Sequence, residues 1–170
     1  MKTILIDTSS AILLYKVGWL DTTLAHYHLR TGSAAYRELV IPGYPGADIF
    51  QQLTAQGRLE VLRPGANPSA DPNLAGLGAG ERECIQHFKA GAGHFILMDD
   101  GRGAAYCRDH GIPYVNALLM PRILAHADPE IGRLNVPRAM AQIYRQGRYA
   151  PWIMDFARHC NDEILAPFRP

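Results

Sequence analysis

The sequence predicts an α/β protein with a mainly parallel central sheet, and three observations carry that prediction. Short uninterrupted apolar runs stand at residues 3–6 ("TILI"), 94–98 ("HFILM") and 113–115 ("PYV"). Central parallel strands have this form because helices cover both faces of the sheet. Segments of helical patterning lie between the runs, so strand and helix alternate. Finally, 170 residues with 48% hydrophobic content are enough for one domain with a sizeable core, which argues against disorder.

In chain order, "TILI" is the first strand, and helix is expected over 10–30 in two pieces, then over 33–40 and 46–56. "RLEVL" at 58–62 alternates polar and apolar residues, as a strand nearer a sheet edge does. Helix follows at 80–90, then "HFILM", helix at 102–110, and "PYV". Gly and Pro punctuate "IPGYPG" (41–46) and the longer "RPGANPSADPNLAGLGAG" (63–80), which is long enough to be a functional or a mobile loop. No internal repeat is visible. The tail "RAMAQIYRQGRYAPWIMDFARHCNDEIL" is helical in pattern, with Pro151 breaking or starting a helix. Residues 1–170 are read as a single domain, with 125–170 as a helical C-terminal extension.

Charge and cysteine content exclude several classes. Lys and Arg total 17 against 16 for Asp and Glu, so no global positive excess points to a nucleic-acid partner, and local geometry must supply any such contact. "MKTILIDTSS" reaches an acid too soon for a signal-peptide core, and no apolar run has membrane length, so a soluble cytoplasmic protein without a membrane partner is expected. Cys84, Cys107 and Cys160 are odd in number and widely spaced, the pattern of reduced, mostly buried thiols. His26 and His28 are too close to share a helix face, and neither His87 and His94 nor His159 beside Cys160 has zinc-site spacing.

Two of the apolar runs end in aspartate: "ILID" at Asp7 and "FILMDD" at Asp99 and Asp100. Ligands of open parallel sheets collect outside the carboxyl ends of the strands, so these acids would gather at one edge. Crowded carboxylates raise one another's pKa unless a cation neutralises them, and an all-oxygen donor set suits Mg²⁺ or Mn²⁺. Asp7 in "DTSS" serves equally well as a helix N-cap. Glu81 shares a helix face with Cys84, Ile85 and Phe88, which turns it inward and demands either a partner or the help of the helix dipole. Glu83 lines up with Gln86 and His87 and is expected to be a solvated surface charge. Glu38, in "SAAYREL", is a further candidate acid that a surface position beside Arg37 would explain equally.

"ILIDTSSAILLYKVGWLD" resembles the opening of a PIN domain, the nuclease fold of VapC-type toxins and PilT N-terminus proteins. "AYREL" resembles the segment with that family's second acid, "GAGERECI" its Gly-Glu helix, and "ILMDDGRGAAYCRDHGIPYVNALLMPRIL" its Asp-Asp strand, helix and following strand. The match runs from about residue 3 to residue 125. The resemblance implies a three-layer α/β/α fold and a metal-dependent ribonuclease leaving a 5′ phosphate. Carried over by motif, the catalytic acids are Asp7, Glu38, Glu81 and Asp99 or Asp100, with Asp7, Glu81 and preferentially Asp100 on the metal. Ser9 would support a metal-bound water or phosphate, or simply cap the first helix. Asn116 would be a further polar site residue or a turn residue.

Arg102 and Arg108, just after the Asp pair, are the expected phosphate contacts, ahead of Lys16 and Arg37. The resemblance further implies RNA as substrate, a cognate antitoxin that blocks the pocket, and a homodimer. The long loop at 63–80, the unaligned Arg after the Asp pair and the loosely matched C-terminal 45 residues depart from the family pattern and bear on substrate choice. The alternative reading is a catalytically inactive PIN-like RNA-binding or protein-interaction module. A receiver domain would place its acidic pair near the first strand, and a haloacid-type phosphatase would read Asp-x-Asp where this chain reads "DTS".

Overall fold

A computed structural model of the chain describes residues 1–64, 71–132 and 136–170. Its centre is a five-stranded, all-parallel sheet of order β3-β2-β1-β4-β5. The strands are β1 (Thr3–Ile6), β2 (His28–Gly32), β3 (Leu59–Leu62), β4 (Phe95–Leu97) and β5 (Tyr114–Val115). Between β1 and β2 lie α1 (Thr8–Lys16) and α2 (Leu20–His26); α3 (Ser33–Leu39) and α4 (Ala47–Ala55) lead to β3. Next come α5 (Ala79–Lys89) before β4 and α6 (Gly101–Asp109) before β5, then α7 (Met120–Ala127), α8 (Pro129–Gly132), α9 (Val136–Gln146), α10 (Pro151–His159) and α11 (Asp162–Leu165).

The sheet is a three-layer sandwich because both faces of its central strands are apolar. Ile4, Ile6, Leu29, Phe95 and Leu97 point into a core shared with Leu14 of α1, Phe50 of α4, Ile123 of α7 and Ile143 of α9. Leu5, Ile96 and Met98 point the other way, into a core with Cys84 and Ile85 of α5 and Ala104 and Cys107 of α6. The alternation follows from the two-residue period of a strand. Sealing such side chains is worth roughly 1.5–3 kcal/mol each.

The apolar runs become strands where expected, and "RLEVL" forms the edge strand β3. Residues 28–30, read as the end of a helical stretch, instead begin β2, paired with β1 through Ile4↔Leu29. In this strand Thr31 is fully buried and satisfies its hydroxyl on the Ile6 carbonyl at 3.0 Å. A polar residue with a local acceptor thus fills a core position where an apolar run would be the readable signal.

Within the Gly/Pro-rich stretch at 63–80, residues 65–70 lie outside the described residues. The remainder is tied down. Leu74 is buried, and Asp71 accepts from the Tyr106 hydroxyl at 2.5 Å and from Lys89 at 3.1 Å. Beyond α8, residues Ala139, Ile143, Ala157, Cys160 and Leu165 join the same core as β1 and β4. Tyr27 donates to the Phe168 carbonyl at 2.6 Å, fixing the far end of the tail beside β2. Among the described residues no helix is long and apolar enough to cross a membrane.

Candidate active site

From β1 the chain builds outward to β2 and β3 on one side, and β4 and β5 fill the other. The direction of strand order therefore switches between β1 and β4, where open α/β sheets leave a crevice at their carboxyl ends. Asp7 follows β1 and Asp99 lies just beyond β4, so each strand delivers a carboxylate to that point. The Asp7 N–H still bonds to the Leu97 carbonyl at 3.2 Å, which locks the two strand ends together.

Asp7 is buried, 3% exposed, and caps α1: Oδ1 accepts the Ser10 N–H at 2.8 Å and Oδ2 the Ser9 hydroxyl at 2.7 Å. The cap reading of "DTSS" holds, and the same residue stands at the carboxyl edge of the sheet. Burial first, and then the Asp99 charge, push its carboxyl up to about 7 despite these hydrogen bonds. Asp99, 6% exposed, continues the Phe95–Leu97 face. It accepts the Ala117 N–H at 3.0 Å and the Tyr149 hydroxyl at 2.6 Å, and burial raises its pKa too.

A second pair flanks the first. Glu81 reaches back from the first turn of α5 to accept the Gly78 N–H at 3.1 Å, and its pKa is raised by burial and then by the charge of Asp100. Asp100 caps α6, accepting the N–H groups of Arg102 at 2.7 Å and Gly103 at 3.2 Å. Cys84 is buried within reach of both pairs, since Asp7 and Glu81 each add to the burial that raises its thiol. Gly80 admits this arrangement: a Cβ there would come within 3.2 Å of the Ala35 side chain and 3.4 Å of Thr8 Oγ1.

The expected site residues fall into distinct places. Asp7 is joined by Asp99, whereas the preferred ligand Asp100 faces Glu81, because the strand's alternation sends neighbouring residues to opposite sides. Ser9 lines the cleft. Asn116 is buried and donates to the Met98 carbonyl at 2.6 Å, pinning the turn that presents the Ala117 N–H to Asp99. Glu38 is exposed on α3 and belongs to neither acid pair. Arg102 is exposed on the Glu81–Asp100 side, its guanidinium 3.4 Å from the Gly76 carbonyl. Arg108 lies at the far end of α6, about 12 Å along its axis from Asp100, bonded to Asp109 at 2.8 Å and 4.7 Å from the centre of the Trp152 ring.

Glu83 is not the solvated charge its helical position suggests. Its carboxylate accepts the Ala34 N–H at 2.7 Å and the Ser33 hydroxyl at 3.2 Å, capping α3 from α5. Tyr149 had no sequence signal at all. It enters from the segment after α9, which with Ser9, Ile12, Leu13, Lys16, Asp99 and Asp100 encloses a cleft of about 340 Å³.

The donor set suits a hard divalent cation. One or two carboxylates commonly hold Mg²⁺ where waters and substrate phosphate complete its shell. Nearby, Thr8 Oγ1 is buried without a hydrogen-bond partner, leaving an oxygen unspent beside Gly80. Among the described residues no three His, Cys, Asp or Glu side chains stand close enough to hold an ion by themselves.

An all-parallel sheet between two helical layers, with a pair of carboxylates at its switch point, is a three-layer α/β/α fold of the PIN-like type. A family model described as a PIN domain matches residues 3–128, most of the chain, and the chain belongs to the PIN-domain family. PIN domains typically use divalent metals. Comparison with curated proteins gives no match.

Proposed function

We propose that this protein is a metal-dependent endoribonuclease that hydrolyses RNA phosphodiester bonds. One observation carries the reading: Asp7 and Asp99 are buried side by side at the sheet's switch point, in an electrostatic state that a proton or a cation must neutralise. Mg²⁺ or Mn²⁺, held by Asp7 and Asp99 with Glu81 and Asp100 at the flank, would acidify the attacking water and offset charge on the phosphate and leaving oxygen.

The chain's own residues prepare that chemistry. Ser9 and the Ser10 N–H fix the Asp7 carboxylate, and Tyr149 and the Ala117 N–H fix Asp99, so neither must reorganise when a substrate arrives. Ile12 and Leu13 give the cleft an apolar wall that strengthens each charge interaction inside it. No side-chain nucleophile is required, and the buried thiol of Cys84, held well above its ordinary pKa, is unsuited to the role.

The test is cleavage of a mixed RNA panel by purified protein with Mg²⁺ or Mn²⁺, with EDTA and Asp7→Asn as controls. Cutting that vanishes in both controls is expected; cutting that survives either one would overturn the proposal. All four carboxylate oxygens of Asp7 and Asp99 already accept hydrogen bonds from within the chain, which favours a second reading, a catalytically inactive PIN-like RNA-binding or protein-interaction module. Mn²⁺ titration by calorimetry separates the two, since the module would take up no ion. Motif resemblance further supports a VapC-type toxin with a cognate antitoxin and a homodimeric assembly, which co-purification and light scattering would test.

A further inference from the structure

Residues 146–149 lie outside the stretch matched by the family, yet Gln146, Gly147 and Arg148 form one wall of the cleft. Their position is held by the 2.6 Å hydrogen bond from Tyr149 to Asp99, an interaction between residues 50 apart in the chain. Two cations line the same cleft: Lys16, at the end of α1, and Arg148, from this segment. Both are exposed, and neither has an ion-pair partner among the described residues, although Asp99 and Asp100 line the cleft with them. Away from the cleft, Arg30 pairs with Glu60, Arg58 with Asp21 and Arg108 with Asp109.

We infer that the Gln146–Tyr149 segment is a substrate-gripping strap of this site: Arg148 and Lys16 take the phosphates of single-stranded RNA, and Tyr149 positions Asp99. This rests on the ribonuclease reading for its substrate. Opposed cations and carboxylates suit a phosphodiester, whose anionic oxygens need the cations while its reacting phosphorus faces the acids. Phosphate contacts of this kind fix register without reading sequence. Arg148 brings a planar donor fork and Lys16 a mobile point charge, so the pair can hold two successive phosphates of a flexible strand. Tyr149 acts through Asp99 and is a positioning residue: its hydroxyl holds Oδ1 at 2.6 Å while the Ala117 N–H lies nearer Oδ2, at 3.0 Å.

The experiment uses the full chain and two readouts. Binding of fluorescein-labelled single-stranded RNA is followed by anisotropy in EDTA at several salt concentrations; cleavage kinetics are then measured with Mn²⁺. Each phosphate contact contributes about 0.7 to the slope of log K against log salt for a single strand. Arg148→Gln and Lys16→Gln should each lower that slope by about 0.7 and raise KM roughly tenfold, with kcat retained. Arg58→Gln, the same charge change at the opposite end of the sheet, should alter neither.

Tyr149→Phe should leave binding intact, lower kcat and displace its pH profile, which a purely structural loss would not do. An unchanged salt slope in both cation variants overturns the inference even if the wild type cuts RNA, and so does faster cutting by Arg148→Gln, which would make the segment a plug. RNA binding with the predicted slope changes, but without metal-dependent cutting, would support the grip and sink the ribonuclease reading.

Discussion

The Glu83 carboxylate of α5 accepts the Ala34 N–H of α3 at 2.7 Å, so one helix supplies the N-terminal cap of another. The approach depends on Gly32, where a Cβ would lie 2.5 Å from Glu83 Oε2 and 2.8 Å from its Cβ. Glu83→Ala leaves the Ala34 N–H without its acceptor and should cost about 1–3 kcal/mol of stability. Gly32→Ala should also destabilise, but by less in the Glu83→Ala background, because the closest contact, with Oε2, goes with the carboxylate while the contact with the Cβ stays. A double-mutant cycle by urea unfolding measures this coupling; additive losses would contradict the geometry.

The Asp7 carboxyl has an ordinary value of 3.8 and is held near 7 in the fold. The native state therefore binds more protons than the unfolded chain between those values, and stability should fall as pH rises through that window, then level off. Each pKa unit is worth about 1.4 kcal/mol, so the fall amounts to several kcal/mol. Asp7→Asn removes the charge and should raise the urea midpoint at pH 8 while changing little at pH 4. A variant less stable than wild type at pH 8 would show that the carboxylate has compensation this structure does not contain.

A cation that displaces the proton from this acid pair reverses the penalty. Millimolar Mn²⁺ in EDTA-free buffer at pH 8 should raise the Tm of the wild type, by about 2.7 kcal/mol of stabilisation at a hundredfold excess over Kd. At pH 5 the shift should be smaller, since protons compete for Asp7. Asp7→Asn should show little shift at either pH, and equal shifts in the two proteins would place the ion elsewhere. Cleavage, measured over the same range, should rise with pH through about 7.

Cys84, Cys107 and Cys160 are buried free thiols whose pKa values are all raised by burial, that of Cys107 to about 12. None should react with a disulfide reagent at pH 8 on the time scale of mixing, whereas all three should react in urea. Prompt labelling of any one in native buffer would show that its packing opens.

The layers were legible because buried parallel strands need unbroken apolar runs, and "TILI", "HFILM" and "PYV" supply them. β2 was not, because Leu29 is its one large aliphatic residue and buried Thr31 relies on a carbonyl from β1. The acids at the strand ends were visible, but which member of "DD" joins Asp7 turned on a single residue of alternation. Continuing the Phe95–Leu97 parity to Asp99 would have supplied that answer. Glu83 misled because its helix face is polar locally, and only the gap at Gly32 reveals its partner. Nothing local could place Tyr149, whose contact depends on a tail folding back across 50 residues.

That long return also has a consequence in time. Chains fold as they are synthesised, from the amino end. Asp7 and Asp99 leave the ribosome first, and Tyr149 follows them by 50 residues. Through that interval the acid pair exists without its far wall, and the growing polypeptide sits beside the very message that encodes it. The site is assembled acids first and wall last.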